Sequence, residues 1–253
     1  MTLVDFPGRV ATTVFTRGCS FRCGFCHNPE LVIPEKFNPL LSEDQFFRFL
    51  ESRLGKIQGV CITGGEPTIQ ADIMSFISHI KALGFDVKLD TNGSMPEALA
   101  SIIEDGDVDY IAMDIKSPLD NYSKVTGAKQ GVIARSETTK SSEGDPHGQS
   151  HSNLTIKQYN NLESKILASI DLIMNSGIDY EFRTTVCHPY HKSEDFEGIG
   201  KLIKGAKRYY IQNFVPSKQI SSKIKFEPFT EQELEKSLKI IKKHIKHSEI
   251  RNF

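Results

Sequence analysis

Short apolar runs rich in Val, Ile, Phe and Thr alternate with segments of helical period along most of the chain. The runs at 10–16, 57–63, 85–91, 108–114, 178–186 and 208–214 read as strands, each followed by a helix pattern. Ser42 with Gln45 forms a capping box ahead of Phe46, Phe49, Leu50 and Leu54 at helical spacing, and Thr230 with Glu233 forms another ahead of Leu234, Leu238, Ile241 and Ile245. A further helix is built around Leu162, Ile166 and Ile170. Repeated strand–helix units predict an α/β fold with a parallel sheet. Six units are too few for an eight-stranded barrel, so a partial (β/α)6 barrel is expected, as a single domain over 1–253.

Such a barrel carries its chemistry at the C-terminal ends of its strands. The unusual polar clusters of this chain all fall there. A loop with Cys19, Cys23 and Cys26 follows the first strand, and Gly64-Gly65-Glu66-Pro67 follows the second. Asp90-Thr91-Asn92-Gly93 closes the third, and Asp114-Ile115-Lys116 closes the fourth. Accidental polar clusters would scatter over both ends of the barrel, so their convergence on one rim marks a site. One stretch breaks the alternation: residues 129–155 contain Ser141-Ser142-Glu143-Gly144-Asp145-Pro146-His147-Gly148 and almost nothing apolar, and read as a flexible insert.

Composition narrows the function. With 253 residues, 38% hydrophobic and 25% charged, the chain is a soluble globular protein. A net charge of -1 gives no basic field for nucleic acid or an anionic membrane. Asp5, Pro7 and Gly8 interrupt the apolar start, and no run of about 18 apolar residues is present, so neither a signal peptide nor a membrane span is expected. Five cysteines, three of them clustered, make a poor disulfide framework and suit a reducing compartment, the cytoplasm.

The spacing Cys19-x3-Cys23-x2-Cys26 offers three thiolates where a closed metal site takes four. Two readings stay open on spacing alone. The loop could be part of a zinc site completed by His27, although a ligand directly beside Cys26 has little freedom to complete a tetrahedron, and Cys61 and Cys187 stand alone. Alternatively it holds a 4Fe-4S cluster with one iron left free for a substrate or cofactor. Gly64 and Gly65 allow backbone to approach a ligand closely, or simply turn the chain. Asp90-Thr91-Asn92-Gly93 alone is an ordinary turn, and Asp114-x-Lys116 alone an ordinary ion pair.

Taken together, the three-cysteine loop with Phe25 before its last cysteine and the Gly-Gly-Glu-Pro run resemble the radical S-adenosylmethionine (SAM) superfamily. The Asp-Thr-Asn-Gly and Asp-x-Lys runs resemble its glycyl-radical-enzyme activases. Leu3-Val4-Asp5-Phe6-Pro7-Gly8, Val14 to Cys19, Cys26-His27-Asn28-Pro29-Glu30-Leu31 and Glu181-Phe182-Arg183-Thr184-Thr185 are similar to the anaerobic ribonucleoside-triphosphate reductase activating protein family. That resemblance implies one 4Fe-4S cluster on Cys19, Cys23 and Cys26, which with SAM forms the catalytic centre. It implies SAM contacts from Phe25, Asn28, Gly64, Gly65, Glu66, Asp90, Asn92, Asp114, Lys116 and Arg183, and a monovalent cation shared by Asp90, Thr91 and Asp114. It also implies a flavodoxin- or ferredoxin-type electron donor and a partner that is an anaerobic ribonucleotide reductase or another glycyl-radical enzyme. The insert, and the lack of a histidine near Gln212-Asn213-Phe214, depart from related activases. A small-molecule enzyme such as a deazaguanine synthase is the enzymatic alternative, and a zinc or iron-sulfur binding protein the non-enzymatic one.

Overall fold

The computed structural model describes residues 1–128, 159–217, 220 and 223–251. Seven strands hydrogen-bond side by side in sequence order, all parallel: β1 (Ala11–Thr16), β2 (Gly59–Gly64), β3 (Asp86–Thr91), β4 (Tyr110–Asp114), β5 (Asp179–Val186), β6 (Tyr209–Asn213) and β7 (Ser248–Arg251). Parallel neighbours need a crossover, and helices supply it. The connections carry α1 (Pro29–Val32) and α2 (Glu43–Glu51), α3 (Ile73–Ala82), α4 (Pro96–Asp105), α5 (Tyr122–Thr126) and α6 (Leu162–Asn175), α7 (Asp195–Leu202), and α8 (Glu231–Ile241).

The two faces of the sheet differ sharply. Val60 and Ile62, Val87 and Leu89, Ile111 and Met113, Tyr180 and Phe182, and Ile211 point outward into the main core against the helices. The alternate positions point inward, and at the floor Phe6, Ala11, Tyr110 and Ala112 form a second, smaller core. The Phe6 and Tyr110 ring centroids are 6.1 Å apart, which joins the segment before β1 to β4 across the concave face and shows how strongly the sheet curves. Phe6 is fully buried, and a Cβ on Gly59 would stand 2.9 Å from its ring, so the floor is closely filled. Next to this floor Glu181, also fully buried, accepts from Tyr110 Oη at 2.9 Å and from both terminal nitrogens of Arg251, at 2.8 and 3.1 Å.

The α/β expectation holds, with one strand more than the six foreseen. Strand β7 has one apolar residue, Ile250, in the run Ser248-Glu249-Ile250-Arg251, so neither periodicity nor β propensity exposes it. It forms because β6 offers an unpaired edge and Glu181 a buried counter-charge for Arg251. Both capping boxes close as expected, on α2 and α8. Leu54 does not extend the buried stripe of α2: the helix ends at Glu51 and Leu54 is exposed. The insert expected at 129–155 lies outside the described residues. Among the described residues no helix is long and apolar enough to cross a membrane.

Replacing Phe6 by alanine empties the barrel floor and should cost about 3–5 kcal/mol of unfolding free energy. Urea denaturation checks this, and a change below about 1 kcal/mol would show that the floor packing contributes little.

Candidate active site

The C-terminal ends of β1 to β5 open onto one cavity, lined by Cys19, Cys23, Cys26, Asn28, Gly64, Gly65, Glu66, Asp90, Thr91, Asn92, Asp114, Lys116 and Arg183 together with Phe21, Phe25, Thr63 and Thr185. Every residue foreseen as a site residue is therefore brought to the same place. What each does there differs from the sequence expectation in several cases.

The cysteine loop is held from three sides. Ser20 Oγ and Ser94 Oγ are 2.6 Å apart, and Asn92 Nδ2 donates to Ser20 Oγ at 3.1 Å and to Cys19 Sγ at 3.6 Å. Arg22 N donates to the Thr126 carbonyl at 2.8 Å at the end of α5. The third hold comes from the double glycine. Gly65 N donates to Thr16 O at 2.9 Å and Glu66 N to Gly18 O at 2.8 Å; a Cβ on Gly65 would stand 1.8 Å from that Gly18 oxygen. A Cβ on Gly64 would stand 2.4 Å from Thr16 N, and Gly64 has φ +118°. Gly64 thus admits the end of β1 and Gly65 the cysteine loop, a use of the missing Cβ that the motif alone does not reveal.

Glu66 is likewise turned inward. Only 1% exposed, it accepts at Oε1 from Thr68 N (3.2 Å), Thr68 Oγ1 (2.5 Å) and Thr91 Oγ1 (2.7 Å), and at Oε2 from Asn92 N (2.6 Å). Burial pushes its carboxyl above the usual carboxylate range and these four donors pull it back. Its structural work is to brace the loop after β2 against the end of β3. Phe25 is buried edge-to-face among Tyr190, His191 and Phe226, so it supports the loop from below as well as lining the cavity. Asn28 stands at the N-cap of α1 but makes no side-chain capping bond.

Burial pushes the Cys19 thiol up to about 11 and the Cys23 thiol up to about 12, with Lys116 acting in the opposite sense on both. A buried thiolate needs more positive charge than one lysine, and a bound metal would supply it. His27 does not complete a zinc site: its ring stacks on Phe214 at 5.1 Å and its Nε2 is 2.9 Å from the Val215 carbonyl. Among the described residues no three His, Cys, Asp or Glu side chains stand close enough together to hold one metal ion. The three thiols sharing one cavity suit a cluster instead, in which separate irons take one thiolate each.

Beside the thiols runs a chain of five charges. Lys88 Nζ bonds Asp90 Oδ1, and Arg183 Nη2 is 3.1 Å from Asp90 Oδ2. Arg183 Nε is 2.7 Å from Asp114 Oδ1, and Lys116 Nζ is 2.8 Å from Asp114 Oδ2. Burial would raise both carboxyls, but Arg183 and the lysine beside each hold Asp90 and Asp114 below the usual range. Burial would lower Lys116, yet Asp114 holds it above the usual lysine range. The monovalent cation expected at Asp90, Thr91 and Asp114 does not fit this arrangement: each carboxylate oxygen already faces a cationic side chain, and the Thr91 hydroxyl donates to Glu66. Lys88 was not foreseen. Its signal in the sequence is position i−2 from Asp90 on a strand, which puts both on the inner face.

Comparison with known proteins agrees with this geometry. The family model for the radical SAM superfamily matches residues 13–203. The chain belongs to the radical SAM superfamily. This membership implies a 4Fe-4S cluster and SAM. A protein of Methanocaldococcus jannaschii named "Putative glycyl-radical enzyme activating enzyme" is 30% identical over 99% of this chain and 92% of its own length. A 7-carboxy-7-deazaguanine synthase of Thermococcus kodakarensis is 29% identical, over 51% of this chain and 56% of its own. The SAM-bound crystal structure of Streptococcus suis SuiB superposes on 98% of this chain with TM-score 0.65 at 13% identity. It supports the fold alone, since this chain spans 51% of that longer protein.

Replacing Cys19, Cys23 or Cys26 by alanine should abolish iron binding after anaerobic reconstitution, whereas Cys61→Ala should keep its iron, because Cys61 faces Lys88 inside the barrel, away from the loop. Iron analysis of the four variants checks this. A Cys61 variant without iron, or a Cys23 variant that keeps it, would overturn the assignment.

Proposed function

We propose that this chain activates a glycyl-radical enzyme, and that the enzyme is an anaerobic ribonucleotide reductase. The observation that carries the first half is the span of the similarity: the M. jannaschii activating-enzyme relative matches over 99% of this chain, while the deazaguanine synthase matches over 51%. The reductase rests on the finer likeness of the Leu3 to Gly8 segment and the Glu181 to Thr185 run to the reductase activating proteins.

Cys19, Cys23 and Cys26 would hold the cluster, and the cavity they line would take SAM. When bound, the two groups would supply the radical chemistry that removes a hydrogen atom from a glycine Cα. The chain's own residues do the rest. Asn28, Asn92 and the Gly64-Gly65 turn line the cavity, and Arg183 and Lys116 present positive charge to an anionic group such as a carboxylate. Phe21, Phe25 and the curved sheet wall off water, so the hydrogen transfer happens in a dry and oriented site. We assign Asp114 and Lys116, on the rim at the end of β4, to the incoming glycine segment. A flavodoxin- or ferredoxin-type donor in the cytoplasm provides the electron.

With SAM, a low-potential reductant and an anaerobic reductase, the protein should raise an oxygen-sensitive glycyl radical on the partner, detected by electron paramagnetic resonance, with about one SAM consumed per radical. Asp114→Ala and Lys116→Ala should lower its yield. SAM cleavage without a radical on the reductase, accompanied by modification of a small molecule, would favour the deazaguanine-type reading.

A further inference from the structure

We propose that Lys88 is the built-in cation of this site, a positioning residue whose ammonium replaces a bound monovalent metal ion in organising the carboxylates beside SAM. Lys88 does not line the cavity. It projects from the middle of β3, is 2% exposed, and sits opposite Cys61 in the β2–β3 register. Among the described residues its ammonium meets Asp90 Oδ1 and, at 3.6 Å, Cys61 Sγ.

The geometry leaves a free cation no vacant role. Asp90 and Asp114 together carry two negative charges, and Lys88, Lys116 and Arg183 carry three positive ones. Their contacts are distributed so that every carboxylate oxygen has its own cationic partner. A sodium or potassium ion would have to displace one of these side chains or settle beside like charge in a low-dielectric interior, where repulsion is strong. The excess positive charge also suits an anionic group entering above Arg183 and Lys116. Lys88 acts through its neighbours: it fixes Asp90, Asp90 fixes the Nη2 end of Arg183, and the Nε end of Arg183 fixes Asp114 and with it Lys116. A strand delivers this cation more reliably than solution does, because its entropy is lost on folding and not on each binding event.

The test is SAM binding to the cluster-reconstituted enzyme, measured by equilibrium dialysis in buffers whose cation is sodium, potassium or tetramethylammonium. The inference rests on SAM occupying this cavity but not on the identity of the partner, which is absent from the assay. Wild-type affinity should vary by no more than about twofold among the three buffers, since the charge is built in. Lys88→Met should bind about tenfold more weakly in tetramethylammonium, having left a buried carboxylate short of a partner, and should regain affinity when sodium or potassium is added. A general structural defect would not respond to small cations in this way. Wild-type binding that rises severalfold with sodium or potassium would overturn the inference even if the variant fails to fold. So would a Lys88→Met enzyme with wild-type affinity in every buffer. A wild type that binds no SAM in any buffer would overturn the SAM-site reading itself.

Discussion

At position 65 the Cβ of any residue but glycine would lie 1.8 Å from the Gly18 carbonyl oxygen. This close approach lets the turn after β2 lie against the loop after β1, with Gly65 N donating to Thr16 at the end of β1 and Glu66 N to Gly18 in the loop. Glu66, delivered by the same turn, then ties the pair to the end of β3 through Thr91 and Asn92, and Asn92 reaches back to Ser20 and Cys19. Three strand ends are thus locked around the cysteines by hydrogen bonds that are buried or part-buried where Glu66 and Asn92 make them. A thiolate loop so restrained meets its cluster with little left to order, which is how pre-organisation favours binding.

The interior of the barrel is unusual for a parallel sheet, whose strands commonly bury apolar side chains on both faces. Here the outer face meets the helices with aliphatic and aromatic side chains, while the inner face carries Glu181 with Arg251 near the floor and the Lys88–Asp90–Arg183–Asp114–Lys116 chain at the rim. Buried ion pairs contribute little net stability, because desolvation offsets their attraction. Their consequence is positional: each guanidinium or ammonium is fixed by carboxylates of neighbouring strands, so the rim presents charge in one arrangement. The small apolar floor of Phe6, Ala11, Tyr110 and Ala112 closes the far end beneath the chain of charges.

Much of this was legible before any coordinates. The six runs of β-branched and aromatic residues became β1 to β6, and Ser42 and Thr230 capped the helices they preceded, because strand alternation and capping are local effects carried by neighbouring residues. The clustering of Cys19, Gly64, Asp90 and Asp114 on one rim followed from strand polarity alone. Strand β7 was not legible, since four residues with a single apolar side chain have no period to detect; it exists through pairing with β6 and through Arg251 reaching Glu181.

What the sequence determined by itself, then, is everything that short-range periodicity and residue spacing control: the strand–helix order, the rim on which the polar clusters gather, and a loop of three closely spaced cysteines. Only the tertiary structure decided which partner each side chain takes. Glu66 turned to Thr68, Thr91 and Asn92, the glycines served the cysteine loop, His27 stacked on Phe214, and Lys88 reached Asp90. The reason is physical: these partners arise where separate strands are brought side by side by curvature and register, and a buried polar group takes whichever donor or counter-charge that juxtaposition places within reach.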